Sequence, residues 1–583
     1  MRARPQQHQV FRKRIVTLTV FLLLVFALII VRLAILQVFS GGYYRALAED
    51  RYTLVKKLIP ERGKIEITDK FSPDPELVAT NIDRDLVFAN PTSITDPKLA
   101  ADSLALVLGQ KPEDILGKIT DKSKKYVVLQ KRLTDDQEQK IKDLHLPGIA
   151  FEPEVVRFYP QKTLLAHVMG YVGYKGDEKA GLYGLERSFE DQLKGAPGSL
   201  AQERDATGAW IFGTRRDLVP AVNGDNLILT VDKNIQFKAE AVLKDAVDKN
   251  GADSGSVIVM DPHSGAVLAM ASYPTFDPNE FNKVTDPSTF SNRATVGNYE
   301  PGSVFKAITL AAAIDEGKVS PDSTYNDSGQ IVESDGKIIK NSDGKAHGVQ
   351  TMNQVLEESL NTGAAYAKDQ IGNIDFLKYV QKFGFGKITG IELPESSGNL
   401  SNLKGNIKIN FDTASFGQGI SVTPIQLMQA YTALANGGKM VRPYIVQARV
   451  SPDGKVATTQ TQELDQVISQ QTASTLSAML VNVVEFGHGK RAAVKGYYIG
   501  GKTGTAQVPA KNGKGYEANN NIGTFIGYGP VEKPRFLMLV RVDHPRNVTF
   551  AESSAAPAFG QIAQFIMNYF DIPPTRPVDA PKK

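Results

Sequence analysis

Apolar and polar positions follow three different patterns along this chain, and each predicts a different kind of structure. Near the N-terminus the run Ile15–Val31, IVTLTVFLLLVFALIIV, carries no charge and resumes beyond Arg32 as LAILQVF. About 20 apolar residues span a bilayer, whereas a signal-peptide core has about 7–15. The run is read as a transmembrane helix over 15–39, with Arg32 free to snorkel toward one interface. A cleaved signal peptide is the alternative, but no small-x-small site follows the run. After it the pattern becomes charge-rich and irregular up to about residue 220, with one amphipathic helix expected over Asp135–Leu144.

A third pattern starts at VPAVNGDNLILTVD. Asn223-Gly224-Asp225 turns into a strand over Leu227–Val231, and Asp232 suits an N-cap. The spacing of NIQFKAEAVLKDAVDK is helical and stops at Asn250-Gly251. SVIVM and AVLAMAS flank the turn DPHSG as a hairpin. Ser303–Glu316 reads as a helix; Thr423-Pro424-Ile425-Gln426 opens another through a capping box, and Asn436-Gly437-Gly438 closes it. YYIGGKTGTAQV, TFIGYGP and RFLMLVRVD are strand-like. Strands at both ends with helices between them predict an α+β domain whose sheet is completed late in the chain.

Composition narrows the chemistry. A length of 583 residues calls for more than one folded unit, and 42% hydrophobic with 22% charged residues is ordinary globular composition. A net charge of +4 gives no argument for a nucleic-acid partner. The absence of cysteine excludes disulfides, thiol catalysis and Cys-based metal sites, and seven single histidines without an HxxxH pair give little support to a histidine-built metal site. Arg2, Arg4, Arg12, Lys13 and Arg14 precede the apolar run without an acidic residue, so residues 1–14 are expected to stay cytoplasmic and the rest to lie outside. The end, PPTRPVDAPKK, is expected to be a disordered tail over 573–583.

Candidate chemistry centres on YEPGSVFK, Tyr299–Lys306. Ser303 and Lys306 stand three apart at a helix start, hence on one face. A serine hydroxyl needs a neighbouring base, and a lysine serves as one only when burial lowers its pKa. SxxK also occurs at Ser334–Lys337, Ser342–Lys345 and Ser401–Lys404, so alone it is better read as a surface lysine. Two further motifs shift that balance. EESLNTGAAYA sets Ser359 and Asn361 before a small-residue helix, with Ser397-Gly398-Asn399 as a loop decoy. GGKTGTAQV occurs once, and its Lys502, Thr503, Gly504 and Thr505 offer a cation, two hydroxyls and room for close backbone approach. The spacing GxxxxGK[ST] is absent there, so phosphate binding is not supported.

The order SxxK, SxN, KTG resembles that of the penicillin-binding proteins and serine β-lactamases. Glu61-Arg62-Gly63-Lys64-Ile65, Arg157-Phe158-Tyr159-Pro160, His167–Gly173 and Gly181–Gly195 resemble the pedestal signatures of class B penicillin-binding proteins, which β-lactamases lack. The resemblance implies a transpeptidase fold, an antiparallel sheet flanked by helices with an all-helical subdomain, over 221–572 and an elongated α+β pedestal over 40–220. It further implies that Ser303 is acylated by a D-Ala-D-Ala stem, Lys306 is the base, Ser359 relays protons, and Asn361 holds Lys306 and the substrate amide. Lys502, Thr503 and Thr505 would bind the terminal carboxylate, and the Ser303 and Thr505 amides would form the oxyanion hole. The resemblance implies no metal or organic cofactor. Implied partners are stem peptides with an amine acceptor, β-lactams, a polytopic lipid II polymerase and other division proteins in the bacterial inner membrane. YEPGSVFK with an SxN asparagine looks like division or sporulation types more than elongation types. A β-lactamase and a catalytically dispensable scaffold are the competing readings.

Overall fold

The computed structural model describes residues 6–40, 42, 53–72, 74–176, 178–203, 216–333, 336–510 and 515–577. They fall into two compact units. The first gathers the chain up to Glu61 with Gly195–Asn223. It begins with a 29-residue helix, Gln6–Ala34, continued by a π-turn at Ile35–Phe39. At about 1.5 Å per residue such a helix exceeds the ~30 Å hydrocarbon layer. Thr17 and Thr19 turn their hydroxyls back onto the Lys13 and Ile15 carbonyls, so neither adds an unmet polar group to the apolar stretch. Length and composition suit a single-pass membrane anchor. The unit also contains a three-stranded antiparallel sheet of Thr53–Leu58, Gly198–Glu203 and Arg216–Val219.

The second unit holds Arg62–Lys194 with everything from Gly224 onward. Its N-terminal part is organised by Ile65–Thr68 and the long strand Glu76–Ala89, which pairs with Ile149–Phe158 over ten residues. The amphipathic helix appears as Asp135–Asp143, opened by a Thr134–Gln137 capping box. Three of the expected signatures converge on one buried carboxylate. Glu186 accepts from Arg62 Nε and Arg157 Nε, both at 2.6 Å, and Arg62 also reaches Glu190 at 2.7 Å. The Tyr159 hydroxyl lies 3.3 Å from Glu186 and accepts from the Val172 amide at 3.1 Å. Tyr159 is tied in turn to Asn279 through both its amide and its carbonyl, at 3.0 and 2.9 Å.

A five-stranded antiparallel sheet follows, in the order Val267–Tyr273, Ser254–Met260, Phe536–Asp543, Tyr516–Gly529, Gly500–Pro509. Because strand side chains alternate, Val257, Val259, Met538 and Val540 enter one core with the helices Lys233–Lys249 and Ala555–Tyr569. Ile258, Met260, Leu537 and Leu539 enter another with Pro424–Ala435 and Gln470–Glu485. Among the described residues, the strand carrying Lys502 is the edge of the sheet, with no strand paired to its other side. Beside it the helix Lys306–Asp315 is buried on nearly every side, as its alanine-rich sequence allows.

The expected Ser303 helix is present and opens tightly: Gly302–Phe305 is a 3₁₀ turn, with α-geometry from Lys306. One expectation is corrected. The proline-rich end is not loose from residue 573. The Thr575 and Arg576 amides donate to the Gly496 carbonyl at 3.0 and 3.2 Å, and Arg576 pairs with Glu485 at 2.9 Å while lying over the Tyr498 ring. Prolines forbid helix and sheet there, but an extended segment still docks when its free amides find acceptors. Residues 578–583 lie outside the described residues.

Candidate active site

Close backbone approach builds the Ser303 turn. Gly302, at φ +60°, donates its amide to the Gly417 carbonyl at 3.0 Å. A Cβ on Gly417, itself at φ +80°, would sit 2.3 Å from the Gly302 carbonyl oxygen. On the opposite side a Cβ on Gly504 would meet the Pro301 carbonyl oxygen at 3.0 Å. Only glycine at these positions lets the turn sit between the Gly417 loop and the edge strand. The Tyr431 hydroxyl adds a bond to the Val304 carbonyl at 2.6 Å. Ser303 is left half-buried.

Around it the structure assembles four of the expected side chains. Lys306 Nζ lies 3.1 Å from Ser303 Oγ and 3.2 Å from Ser359 Oγ, and it donates to the Ser359 carbonyl. Lys502 Nζ lies 3.0 Å from the same Ser359 hydroxyl and contacts the Thr503 carbonyl at 3.1 Å and hydroxyl at 3.4 Å. Ser359 therefore bridges the two lysines. It does so from a left-handed backbone, φ 57°, a conformation that serine adopts at a cost. Thr505 is half-buried on the edge strand, its hydroxyl accepting from the Ala551 amide at 3.1 Å.

Asn361 departs from the expectation. Its amide nitrogen donates to the Lys340 carbonyl at 2.8 Å, and no hydrogen bond joins it to Lys306. Asn361 starts the helix Asn361–Lys382, two residues beyond Ser359, and there it meets the end of the strand Ile338–Lys340. The decoy motifs separate cleanly. Ser401–Leu403 is a surface turn and Ser342–Lys345 a mostly exposed loop, while Ser334 lies outside the described residues.

Lys306 and Lys502 are both 0% exposed, and no carboxylate pairs with either among the described residues. Burial holds Lys306 well below the ordinary lysine range, and the charge of Lys502 pushes it further down. Burial alone lowers Lys502 to about 7. Two ammonium groups sharing one hydroxyl repel, so the arrangement favours one charged and one neutral lysine. A neutral Lys306 is a base within reach of Ser303; a charged Lys502 is an anion site on the edge strand.

Gly417, Tyr431 and Glu300 also shape this site without having been singled out by motif. Glu300 accepts from the Gly419 amide and the Tyr516 hydroxyl, both at 3.0 Å. Glu300 lies within YEPGSVFK and Gly417 in the paired glycines of ASFGQGIS, so these two leave a trace in the sequence, whereas Tyr431 does not.

A serine beside an unpaired buried lysine needs no histidine as its base, and with this sheet the arrangement fits a serine acyltransferase of the transpeptidase class. Residues 255–564 match the penicillin-binding protein transpeptidase domain, and residues 57–229 match the penicillin-binding protein dimerisation domain. Stage V sporulation protein D of Bacillus subtilis is 36% identical over 559 residues, covering 94% of this chain and 85% of that one. A probable peptidoglycan D,D-transpeptidase, PenA of Neisseria gonorrhoeae, is 30% identical, covering 95% and 92%. Penicillin-binding protein 3 of Mycobacterium tuberculosis, solved with aztreonam, superposes with a TM-score of 0.69 at 27% identity, covering 90% of this chain and 99% of that one. Penicillin-binding protein 2X of Streptococcus thermophilus gives 0.71 at 25%, covering 88% and 80%. The chain belongs to the class B penicillin-binding proteins.

Proposed function

We propose that this protein is a membrane-anchored peptidoglycan D,D-transpeptidase of the division or sporulation type, cross-linking stem peptides through a Ser303 acyl-enzyme. One observation carries the reading: a buried, uncompensated Lys306 stands 3.1 Å from Ser303 Oγ, while Ser359 bridges it to Lys502. Neutral Lys306 takes the Ser303 proton as Oγ attacks the carbonyl of the penultimate D-Ala. The Ser303 and Thr505 amides hold the resulting oxyanion. Collapse breaks the D-Ala–D-Ala peptide bond, and the proton passes from Lys306 through Ser359 to the departing amine. Charged Lys502, with Thr503 and Thr505, receives the terminal carboxylate; Gly504 keeps the strand close. An amine of a neighbouring stem then attacks the ester, releases Ser303 and leaves a cross-link. Asn361 orients the substrate amide, a role that asks it to leave the Lys340 carbonyl when a stem arrives. A β-lactam enters by the same steps and stays as the ester, and no metal or organic cofactor takes part.

The functional division we assign is a cytoplasmic tail over 1–14, the anchor over 15–39, a pedestal over 40–220 and the transpeptidase domain over 221–572, with catalysis outside the inner membrane. Anchor and pedestal are the docking surfaces for a polytopic lipid II polymerase and other division proteins. Mass spectrometry of the penicillin-treated full chain in detergent tests the chemistry: the adduct is expected on Ser303, stable for minutes or longer. An adduct elsewhere would overturn the assignment, and release within seconds would point to a β-lactamase. Normal growth of a depletion strain on Ser303→Ala would make the protein a scaffold.

A further inference from the structure

The segment between the Ser303 helix and the Ser359 turn folds into two small antiparallel pairs, Thr324–Asp327 with Gly348–Thr351 and Gln330–Val332 with Ile338–Lys340. At its centre lies a carboxylate with no catalytic assignment. Asp327 is 1% exposed, and among the described residues no lysine or arginine pairs with it. Four donors satisfy it instead. Oδ1 accepts from the Gly329 amide at 2.9 Å and the Thr362 hydroxyl at 2.7 Å. Oδ2 accepts from Asn341 Nδ2 at 2.8 Å and the His347 amide at 3.0 Å. Leaving such a group unmet would cost several kcal/mol, roughly, so these bonds hold their donors firmly.

Two of these donors, Thr362 and Asn341, meet at the start of the Asn361 helix. Asn341, itself buried, uses Oδ1 to accept the Thr362 amide at 3.2 Å, one of the amides a helix start leaves without a partner. The preceding residue, Lys340, supplies the carbonyl that receives the Asn361 side chain at 2.8 Å. The dipeptide Lys340-Asn341 thus grips residues 361 and 362 together, and Asp327 grips both Asn341 and Thr362. Two residues upstream stands Ser359, in a left-handed conformation that needs outside support to persist.

We propose that Asp327 and Asn341 are the positioning residues of the Ser359–Asn361 turn, holding Ser359 between the two lysines. They act through the turn and touch neither Ser303 nor the substrate. This rests on the acyl-enzyme reading above.

The test is acylation of the full chain in detergent by a fluorescent penicillin, resolving the non-covalent constant K from the first-order rate k2. Asp327→Asn sets an amide donor against the Asn341 donor, and Asn341→Asp sets acceptor against acceptor. Each is expected to lower k2 tenfold or more and to change K less than threefold. The double exchange again faces a donor with an acceptor across the pair, and it is expected to recover at least half of the lost rate on a logarithmic scale. Should the single variants fold poorly, Thr362→Val removes one bond to Asp327 without changing shape and is expected to lower k2 at least threefold. Wild-type k2 in the variants, even with a lowered melting temperature, overturns the proposal, as does an exchange no faster than the product of its singles. Ser303→Ala separates the two readings. Labelling that survives it sinks the acyl-enzyme itself, whereas labelling lost there with k2 intact in Asp327→Asn sinks only the positioning role.

Discussion

Lys306 and Lys368 are both lysines with 0% exposure, one in the site and one in the neighbouring helices. Their surroundings differ in kind. Lys368 is paired with Asp369 and with the equally buried Asp412, which Lys408 also reaches at 2.5 Å; Lys408 extends to Glu333 at 3.0 Å. Lys306 finds two hydroxyls, one carbonyl and a second lysine. Glu186 in the N-terminal part resembles Lys368: burial raises its pKa, but the charges of Arg157 and Arg62 outweigh that and hold it below the ordinary carboxylate range. Burial therefore does not distinguish a working lysine from a structural one. A missing counter-charge does, because only the uncompensated group is driven toward its neutral, basic form.

Opposite responses to the same substitution are expected. Lys306→Met should slow penicillin acylation of Ser303 by about 10²–10⁴-fold, the usual contribution of a general base, without lowering the melting temperature. Loss of stability there would mean that Lys306 is structurally compensated after all. Lys368→Met should do the reverse, costing up to about 3–5 kcal/mol of unfolding free energy by leaving Asp412 with Lys408 alone, while folded molecules still acylate within a few-fold of normal. Chemical denaturation with parallel labelling reads both quantities.

Gly504→Ala should leave both lysines in place yet slow acylation, since its Cβ would meet the Pro301 carbonyl oxygen and Val304 Cγ1 at 3.0 Å. Overpacking of this kind costs about 1–3 kcal/mol, here spent in shifting the nucleophile turn. Unchanged k2 would show that the turn is not clamped by the strand.

The smallest effect is in pH. Lys306 must be neutral, so k2/K should rise from the acid side as it loses its proton. Lys502 must be charged to hold a carboxylate, so k2/K should fall again above its value of about 7. A penicillin esterified at its carboxylate should lack the alkaline limb, and a profile identical for both compounds would remove Lys502 from that role. Stability should move in one direction only. A lysine whose folded pKa lies below 10.5 leaves the unfolded chain holding more protons, so this contribution rises with pH between about 7 and 10.5.

Much of the fold was legible because it is written in short-range patterns. The cap at Asp232, the capping box at Thr423 and the alternation in RFLMLVRVD each depend on residues a few positions apart. The anchor helix and the Ser303–Lys306 spacing were legible for the same reason. Local spacing did not show that the first turn at Ser303 is 3₁₀, a tightening that goes with the close packing of Gly302 under Gly417.

By itself, then, the sequence determined which residue types stand at helix-turn and strand distances: a serine and its lysine, a serine and an asparagine, a lysine on a strand rich in glycine. Only the tertiary structure decided that Lys306 and Lys502 meet at one hydroxyl with no carboxylate paired to either among the described residues, that Asn361 turns to Lys340, and that Lys368 does have its carboxylate. Local spacing fixes where along the chain a charge is offered. Whether that charge is answered depends on residues tens to hundreds of positions away, brought close only by the packed fold.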